Sequence, residues 1–269
     1  MNAVIRIESL DDPRVDDYRS LKDRELAARG DRGRFIAEGE QLVRRLLASR
    51  LETVSVLLAE RRAEAIAPLV PGNVPVFVAP AEVVNGVIGF KFHSGVMAVG
   101  KRPEPLTIHQ IMPPELLPRR RMTLVVCPDT SNTENLGSLI RISAAFGADA
   151  MILGERCCDP FFRQSVRVSM GAVFVLPIVQ SKALKDDVTW LRRERQFEVI
   201  ATVVGQESEA LCGFKRGERI AVLFGNEAQG LHAEHVGLCD RRVTIPMKLG
   251  TDSLNVAVAA GVILYELTS

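Results

Sequence analysis

The sequence predicts an α/β protein of two domains, and three features carry this prediction. Short apolar runs typical of buried strands alternate with segments of helical periodicity in both halves of the chain. Five prolines fall within the 16 residues from Pro103 to Pro118, a density that neither a helix nor a central strand accepts. The 269 residues are 47% hydrophobic and 25% charged, as in a globular protein with room for two cores.

Residues 1–102 are predicted to form the smaller domain. Its polar N-terminal stretch, residues 21–34, is expected to be a helical arm that is either simply solvated or in contact with phosphates. After this arm, strands alternate with helices as in β–α units. The predicted strands are 35–37, 54–59, 76–79 and 95–99, and the predicted helices are 39–49, 61–69 and 82–87.

Residues 103–120 are predicted to be a linker, which its prolines make semi-rigid. The arginines at 119, 120 and 121 that close it are either a solubilising run or phosphate contacts.

Residues 121–269 are predicted to form a second domain around a parallel sheet. It opens with a buried strand at 123–127 and a helix that Asn135 or a neighbour caps and Gly147 ends. Ser253 is expected to cap a final helix that is apolar almost all round and should therefore be buried. The remaining predicted elements are a strand at 150–153, a helix leading into a strand at 173–179, a helix at 184–195, and strands at 199–203, 221–224 and 243–247.

The last two strands of this domain point to a ligand site. Gly225, Asn226 and Glu227 follow one of them directly, with Gly230 close behind, and Ser253 begins the helix after the other. Open parallel sheets bind ligands at the carboxyl ends of their strands, and helix N-termini supply backbone donors there.

The motifs around this site, GNEAQGL, IPM and SLN, together with the upstream NTENLGSLIRISAAFG, resemble those of the SpoU-type RNA 2′-O-ribose methyltransferases of the SPOUT superfamily. The resemblance implies a trefoil knot in the second domain. The stretches FIAEGEQLVRRLL and FHSGVMAVGKR resemble the ends of the family's substrate-binding domain, which is similar to L30e-type RNA binders. The resemblance further implies S-adenosylmethionine as cofactor, RNA as partner (rRNA favoured over tRNA), and a homodimer formed through the second domain.

The resemblance also assigns roles to individual residues. Ile245 and Leu254 are suited to enclose an adenine, although without the motifs both would be interpreted as plain core residues. Arg141 is better suited to bind a phosphate or a developing alkoxide than to act as a base, because guanidinium stays protonated; a structural ion pair is the alternative. Glu227 is expected to act in proton transfer or to orient Arg141 and its loop. The full expected set is Arg141, Asn135, Glu227, Ser253 and Asn255 for catalysis, and Thr202, Gly225, Asn226, Gly230, Ile245 and Leu254 for the cofactor.

Two departures from the family pattern stand out. Glu134 occupies a position where glycine is usual, and Ala228 occupies another. The first adds a negative charge beside the expected RNA site, so a catalytically inactive RNA-binding factor of the same fold is the alternative function. A dinucleotide-dependent oxidoreductase is disfavoured, because no GxGxxG follows the first strand of either domain.

Composition excludes several other classes. No apolar run reaches the length of a membrane span and no secretion signal is apparent, so a cytoplasmic location is expected. The five cysteines include neighbours at 157 and 158 but no CxxC, and the four histidines form no HExxH, so no metal site is expected. Because the net charge is only +1, attraction to RNA must arise from local patches.

Overall fold

A computed structural model describes residues 4–19, 33–112, 121–205, 207–248 and 253–268. The strands are β1 Val4–Arg6, β2 Arg34–Glu38, β3 Thr53–Ala59, β4 Val76–Ala79, β5 Val96–Lys101, β6 Met122–Cys127, β7 Ala150–Leu153, β8 Ile178–Gln180, β9 Glu198–Thr202, β10 Glu209–Ala210, β11 Arg219–Leu223 and β12 Arg241–Thr244. The helices are α1 Glu40–Leu47, α2 Glu60–Ile66, α3 Ala81–Ile88, α4 Ile108–Ile111, α5 Thr133–Ala145, α6 Arg163–Ser169, α7 Leu184–Glu194, α8 Ala233–Val236 and α9 Val256–Thr268.

The chain forms two compact units. The first comprises Met1–Glu104 together with Phe161–Phe174, and the second comprises Pro105–Pro160 together with Val175–Ser269. Most of the polar arm predicted at 21–34 lies outside the described residues.

The first unit is built on a five-stranded mixed sheet. Its strand order is β1-β4-β3-β5-β2, with parallel pairing from β1 to β3 and antiparallel pairing around β5. Tyr18 is fully buried in its core and shares a 2.8 Å hydrogen bond with the Ser55 hydroxyl, which satisfies both polar groups. All four strands and three helices predicted in this part of the chain are confirmed, with boundaries that shift by a few residues.

The second unit is built on a seven-stranded sheet of order β10-β12-β9-β11-β6-β7-β8, in which every pair is parallel. Central strands such as β6 and β11 are buried along their whole length, as in a sheet covered on both faces. The predicted parallel sheet is confirmed. Its strands all end at one edge, and the loops that carry the site motifs leave from that edge.

The predicted linker contains residues that pack in the second unit. Ile108 and Met112 are buried in its core, beside Trp190. The rest of the predicted linker, residues 113–120, lies outside the described residues.

The strand predicted at 173–179 is wrong in its first half. Met170 and Gly171 adopt positive φ and turn the chain, and Ala172–Phe174 forms a 3₁₀ helix in which Phe174 packs against the ring of Phe35. Only the end of the run pairs as a strand, in β8 after Pro177, which has no N–H to donate to a ladder. The apolar run is therefore divided between the cores of the two units.

The final helix differs from expectation at its start and on one face. Asn255, not Ser253, caps α9: its Oδ1 accepts from the Ala257 N–H at 2.9 Å. The helix is not buried all round, since Val258 is 53% exposed and Tyr265 62% exposed. A cap residue must stand directly before the first helical turn, and only Asn255 does so.

Two further expectations concern the knot and a membrane-spanning helix. The described residues, which leave out 249–252 before the final helix, do not test the trefoil knot, so it stays a prediction. In the residues that the structure does describe, no helix combines the length and hydropathy needed to cross a bilayer.

Candidate active site

A crevice of about 400 Å³ lies at the carboxyl ends of β9, β11 and β12, beside the start of α9. Parallel pairing brings these three ends, and the loops after them, to one place. Eight of the predicted site residues line the crevice: Thr202, Gly225, Asn226, Glu227, Gly230, Ile245, Ser253 and Leu254. All six residues expected to contact a cofactor are among them.

The loop after β11 is closed by its own backbone. Asn226 and Gly230 exchange two N–H···O bonds of 2.9 Å each. A Cβ on Gly225 would lie only 2.3 Å from the Gly230 carbonyl carbon and 2.4 Å from the Leu231 nitrogen, so glycine is required there by the fold of the loop itself. The glycine of this loop that lies in the left-handed region is Gly230, with φ of +67°.

The side chain of Asn226 holds this loop in shape. Its Oδ1 accepts from the backbone N–H of Ala228 at 2.9 Å and of Gln229 at 3.3 Å. Its Nδ2 donates to the Asp129 carbonyl at 3.4 Å, which connects the loop to the end of β6. Because its amide is engaged in this way, Asn226 contributes to the crevice mainly by shaping it.

The walls of the crevice are apolar but not closed. Leu254 is 37% exposed and Ile245 is half-buried, so neither behaves as a plain core residue. Leu231 and Ile263 extend the same surface. The Thr202 hydroxyl is already engaged within the protein, since its Oγ1 donates to the Leu223 carbonyl at 2.7 Å.

Three polar side chains form a hydrogen-bonded row at one side of the crevice. Asn255 Nδ2 donates to Asn135 Oδ1 at 3.0 Å, and Asn135 Nδ2 donates to Glu227 Oε1 at 2.9 Å. The row joins α9, α5 and the loop after β11, whose residues lie far apart in the sequence. Asn135 uses both ends of its amide and thereby fixes the Glu227 carboxylate.

Arg141 does not join this row. Six residues of an α-helix advance by 600°, so on α5 the side chains of Asn135 and Arg141 diverge by about 120° and lie about 9 Å apart along the axis. Arg141 is exposed, and it makes no hydrogen bond or ion pair with the part of the chain that the structure describes. The ion pair expected as its structural alternative is therefore missing among these residues.

Asp129 is a site-shaping residue that the sequence analysis missed. Its carbonyl receives Asn226, and its carboxylate pairs with Arg156 at 3.2 Å. Its position directly after Pro128, at the end of a buried strand, was the available signal. Next to it, Cys157 accepts from the Thr130 N–H at 3.3 Å and donates to the Cys127 carbonyl at 2.9 Å. Burial raises the pKa of the Cys157 thiol to about 11, which suits a structural thiol and not a redox-active one.

Comparison with known proteins decides the family. Residues 122–265 match the model of the SpoU rRNA methylase family. The chain belongs to this family. It is 37% identical, over 96% of its length and 89% of the relative's, to an uncharacterized tRNA/rRNA methyltransferase of Mycobacterium bovis. It is also 27% identical, over 97% of its length and 98% of the relative's, to a 23S rRNA guanosine 2′-O-methyltransferase of Bacillus subtilis, RlmP.

A solved relative shares the architecture of both units. The crystal structure of an AdoMet-bound rRNA methyltransferase from Sinorhizobium meliloti superposes with a TM-score of 0.79 at 26% identity, and the match covers 98% of this chain and 97% of that chain. The family resemblance inferred from the motifs is thus confirmed, and with it the α/β fold and membership in a family of RNA methyltransferases.

Proposed function

We propose that this protein transfers a methyl group from S-adenosylmethionine to a ribose 2′-hydroxyl of structured RNA, with rRNA favoured over tRNA. The observation that carries the proposal is the crevice with its Asn255–Asn135–Glu227 row, which sets an anchored carboxylate beside an apolar pocket. The names of the Bacillus subtilis and Mycobacterium bovis relatives support the reaction and the class of substrate.

The crevice suits the proposed donor in size and charge. Its volume of about 400 Å³ falls within the usual range for small-molecule sites. Ile245 and Leu254 offer apolar surfaces for an adenine, and Glu227 offers a carboxylate, whereas no lysine or arginine is among the described residues that line it. Such a lining favours a ligand with an aromatic base and a positive sulfonium. When bound, the donor supplies an electrophilic methyl group.

The ribose hydroxyl must be held and must lose its proton. We assign both tasks to the polar row. Asn135 occupies Glu227 Oε1, and Glu227 Oε2 has no partner among the described residues, so that oxygen is available to accept the hydroxyl proton. Asn255 fixes Asn135 from the other side. Positioning of this kind lowers barriers mainly by holding the reacting groups in line.

Arg141 is assigned to the RNA phosphate or the developing alkoxide, and the assignment involves a second copy of the chain. Within one chain Arg141 is exposed and lies on a different face of α5 from Asn135. An apolar face formed by Val258, Val262 and Tyr265 on α9 is exposed, with Tyr265 edge-on to Phe146, which directly follows α5. We infer a homodimer that covers this face and brings Arg141 to the crevice of the other copy.

The two units divide the work in this proposal. Residues 1–102, with the L30e-like domain, bind the RNA; residues 103–120 connect; and residues 121–269, with the knot, carry out the transfer. Exposed Lys91 and His93 belong to the first unit and are available to an RNA backbone.

A catalytically inactive RNA-binding factor is the second candidate, and Glu134 is the observation that favours it. This residue stands in the first turn of α5, directly beside Asn135, where its charge opposes an RNA phosphate. Glu134→Gly separates the candidates: an active enzyme should transfer methyl groups both before and after the substitution, whereas a factor that Glu134 has inactivated should do so only after it.

The direct test is transfer of tritiated methyl from S-adenosylmethionine to unmodified rRNA and, in parallel, to tRNA, followed by digestion to nucleosides. We expect label in a 2′-O-methylnucleoside from rRNA. Glu227→Gln serves as the matched variant, because it keeps the shape and the Asn135 contact but removes the proton acceptor. Label in a base, or none with either RNA, would overturn the proposal.

A further inference from the structure

A second crevice opens at the same edge of the sheet in the second unit. It has a volume of about 470 Å³ and lies at the carboxyl ends of β6, β7 and β8. Pro128, Ala183 and Leu184 form its apolar lining, in which Ala183 is the exposed residue, and Arg156, Lys185 and His235 give it polar groups. Neither the resemblance nor the proposed transfer reaction uses it.

His235 brings to the lining of this crevice a buried polar atom that has no hydrogen-bond partner in the described part of the chain. The residue is only 7% exposed, yet its Nδ1 has no hydrogen-bond partner among the described residues. Burial lowers the pKa of His235, so the imidazole is neutral at physiological pH. A buried polar atom without a partner is costly, and a ligand that supplies a hydrogen bond would remove that cost.

The charges around the crevice argue against a phosphate. Its cations are already paired, Lys185 with Glu234 at 3.1 Å and Arg156 with Asp129 at 3.2 Å. The lining also includes Glu155 and Asp186, so carboxylates outnumber cations. A flat, uncharged group with hydrogen-bonding edges suits such a lining, and a nucleobase is such a group.

The second crevice is linked to the first through one residue. Asp129 receives Asn226 of the donor loop on its carbonyl and holds Arg156 on its carboxylate. The strands behind the two crevices are neighbours in the order β9-β11-β6-β7. At about 4.8 Å per strand, the crevice centres lie roughly 10–15 Å apart, a distance that neighbouring nucleotides of one RNA strand can span.

We propose that this second crevice binds an unpaired base of a nucleotide that flanks the methylated one, and so helps to select the RNA; the inference rests on the proposed function. Proteins read RNA sequence chiefly on splayed bases, which they enclose between flat surfaces and bond along their edges. Here Ala183 supplies the exposed apolar surface, and Arg156 and His235 supply the hydrogen-bonding groups.

Ala183→Trp tests the proposal, because residue 183 is exposed and a tryptophan there would fill the crevice without disturbing the core. Glu194→Trp is the matched control, since it places the same side chain at an exposed position at the far end of α7. We expect Ala183→Trp to raise the KM for unmodified rRNA roughly five- to 100-fold, as for the loss of one stacked base. The Kd for S-adenosylmethionine should stay unchanged, and the control should match the wild type in both.

His235→Phe provides a second variant that keeps a ring of similar size but removes both nitrogens, and it should raise KM in the same direction. The inference is overturned if both variants methylate rRNA with the KM of the control, an outcome that leaves the proposed function intact. If the wild type transfers no methyl group, the proposed function fails instead. Fluorescence anisotropy with a labelled fragment of unmodified rRNA then tests the inference. Both variants should bind this fragment more weakly than the Glu194→Trp control does, and equal binding would refute the inference.

Discussion

Replacing Gly225 by alanine should disable donor binding while leaving the fold intact. The new Cβ would lie 2.3 Å from the Gly230 carbonyl carbon, 2.4 Å from the Leu231 nitrogen and 2.7 Å from the Gly230 oxygen. All three atoms are backbone, and carbon contacts are normally 3.5–4.0 Å, so the loop must move by more than 1 Å. That movement breaks the two bonds between Asn226 and Gly230, about 0.5–1.5 kcal/mol each.

Overpacking strain adds about 1–3 kcal/mol, so the total cost is about 2–6 kcal/mol and the Kd for S-adenosylmethionine should rise at least about thirtyfold. Gly230→Ala is the graded control in the same loop: nothing lies within 4 Å of its Cβ, but its φ of +67° costs about 1–2 kcal/mol. Isothermal titration calorimetry measures both variants, with circular dichroism as the check on folding. An unchanged Kd in folded Gly225→Ala would refute the view that this loop forms the donor site.

Three other changes test separate parts of the account. Arg141→Lys keeps the charge but loses the forked hydrogen-bond geometry of the guanidinium. The rate of single-turnover methylation should therefore fall about a hundredfold or more, while the affinity for S-adenosylmethionine and the melting temperature stay unchanged. A normal rate with a lowered melting temperature would instead indicate a structural role. Val258→Glu combined with Tyr265→Glu should convert a dimer to a monomer in light scattering, and a wild-type monomer at micromolar concentration would contradict the proposed assembly. Iodoacetamide at pH 8 should label exposed Cys212 at least about a hundredfold faster than Cys158, because burial raises the pKa of the Cys158 thiol to about 12 and only thiolates react. Equal labelling rates by mass spectrometry would contradict this burial of Cys158.

The parts of the fold that the sequence analysis predicted correctly depend on local signals. The strands at 76–79 and 150–153 match β4 and β7 residue for residue, because each is a fully buried apolar run with clear ends. The crevice could be anticipated as well, since its motifs follow strand-like runs and parallel strands end together.

What could not be predicted depends on tertiary context. The run at 173–179 is apolar throughout, and nothing in its composition shows that Phe174 packs in one unit while β8 pairs in the other. Ser253 and Asn255 are both good caps, so only the observed start of α9 decides between them. The second crevice could not be predicted, because the residues that line it, among them Pro128, Arg156 and His235, lie far apart in the chain.

The central claim is that the protein methylates a ribose hydroxyl of RNA. Ribose-methylation mapping of total RNA from cells with and without the gene measures this most directly, because 2′-O-methylation blocks alkaline cleavage at the modified nucleotide. We expect one or a few rRNA positions to lose methylation when the gene is deleted, and to regain it with the wild-type gene but not with Glu227→Gln. Identical rRNA and tRNA methylation maps in the two strains would contradict the account.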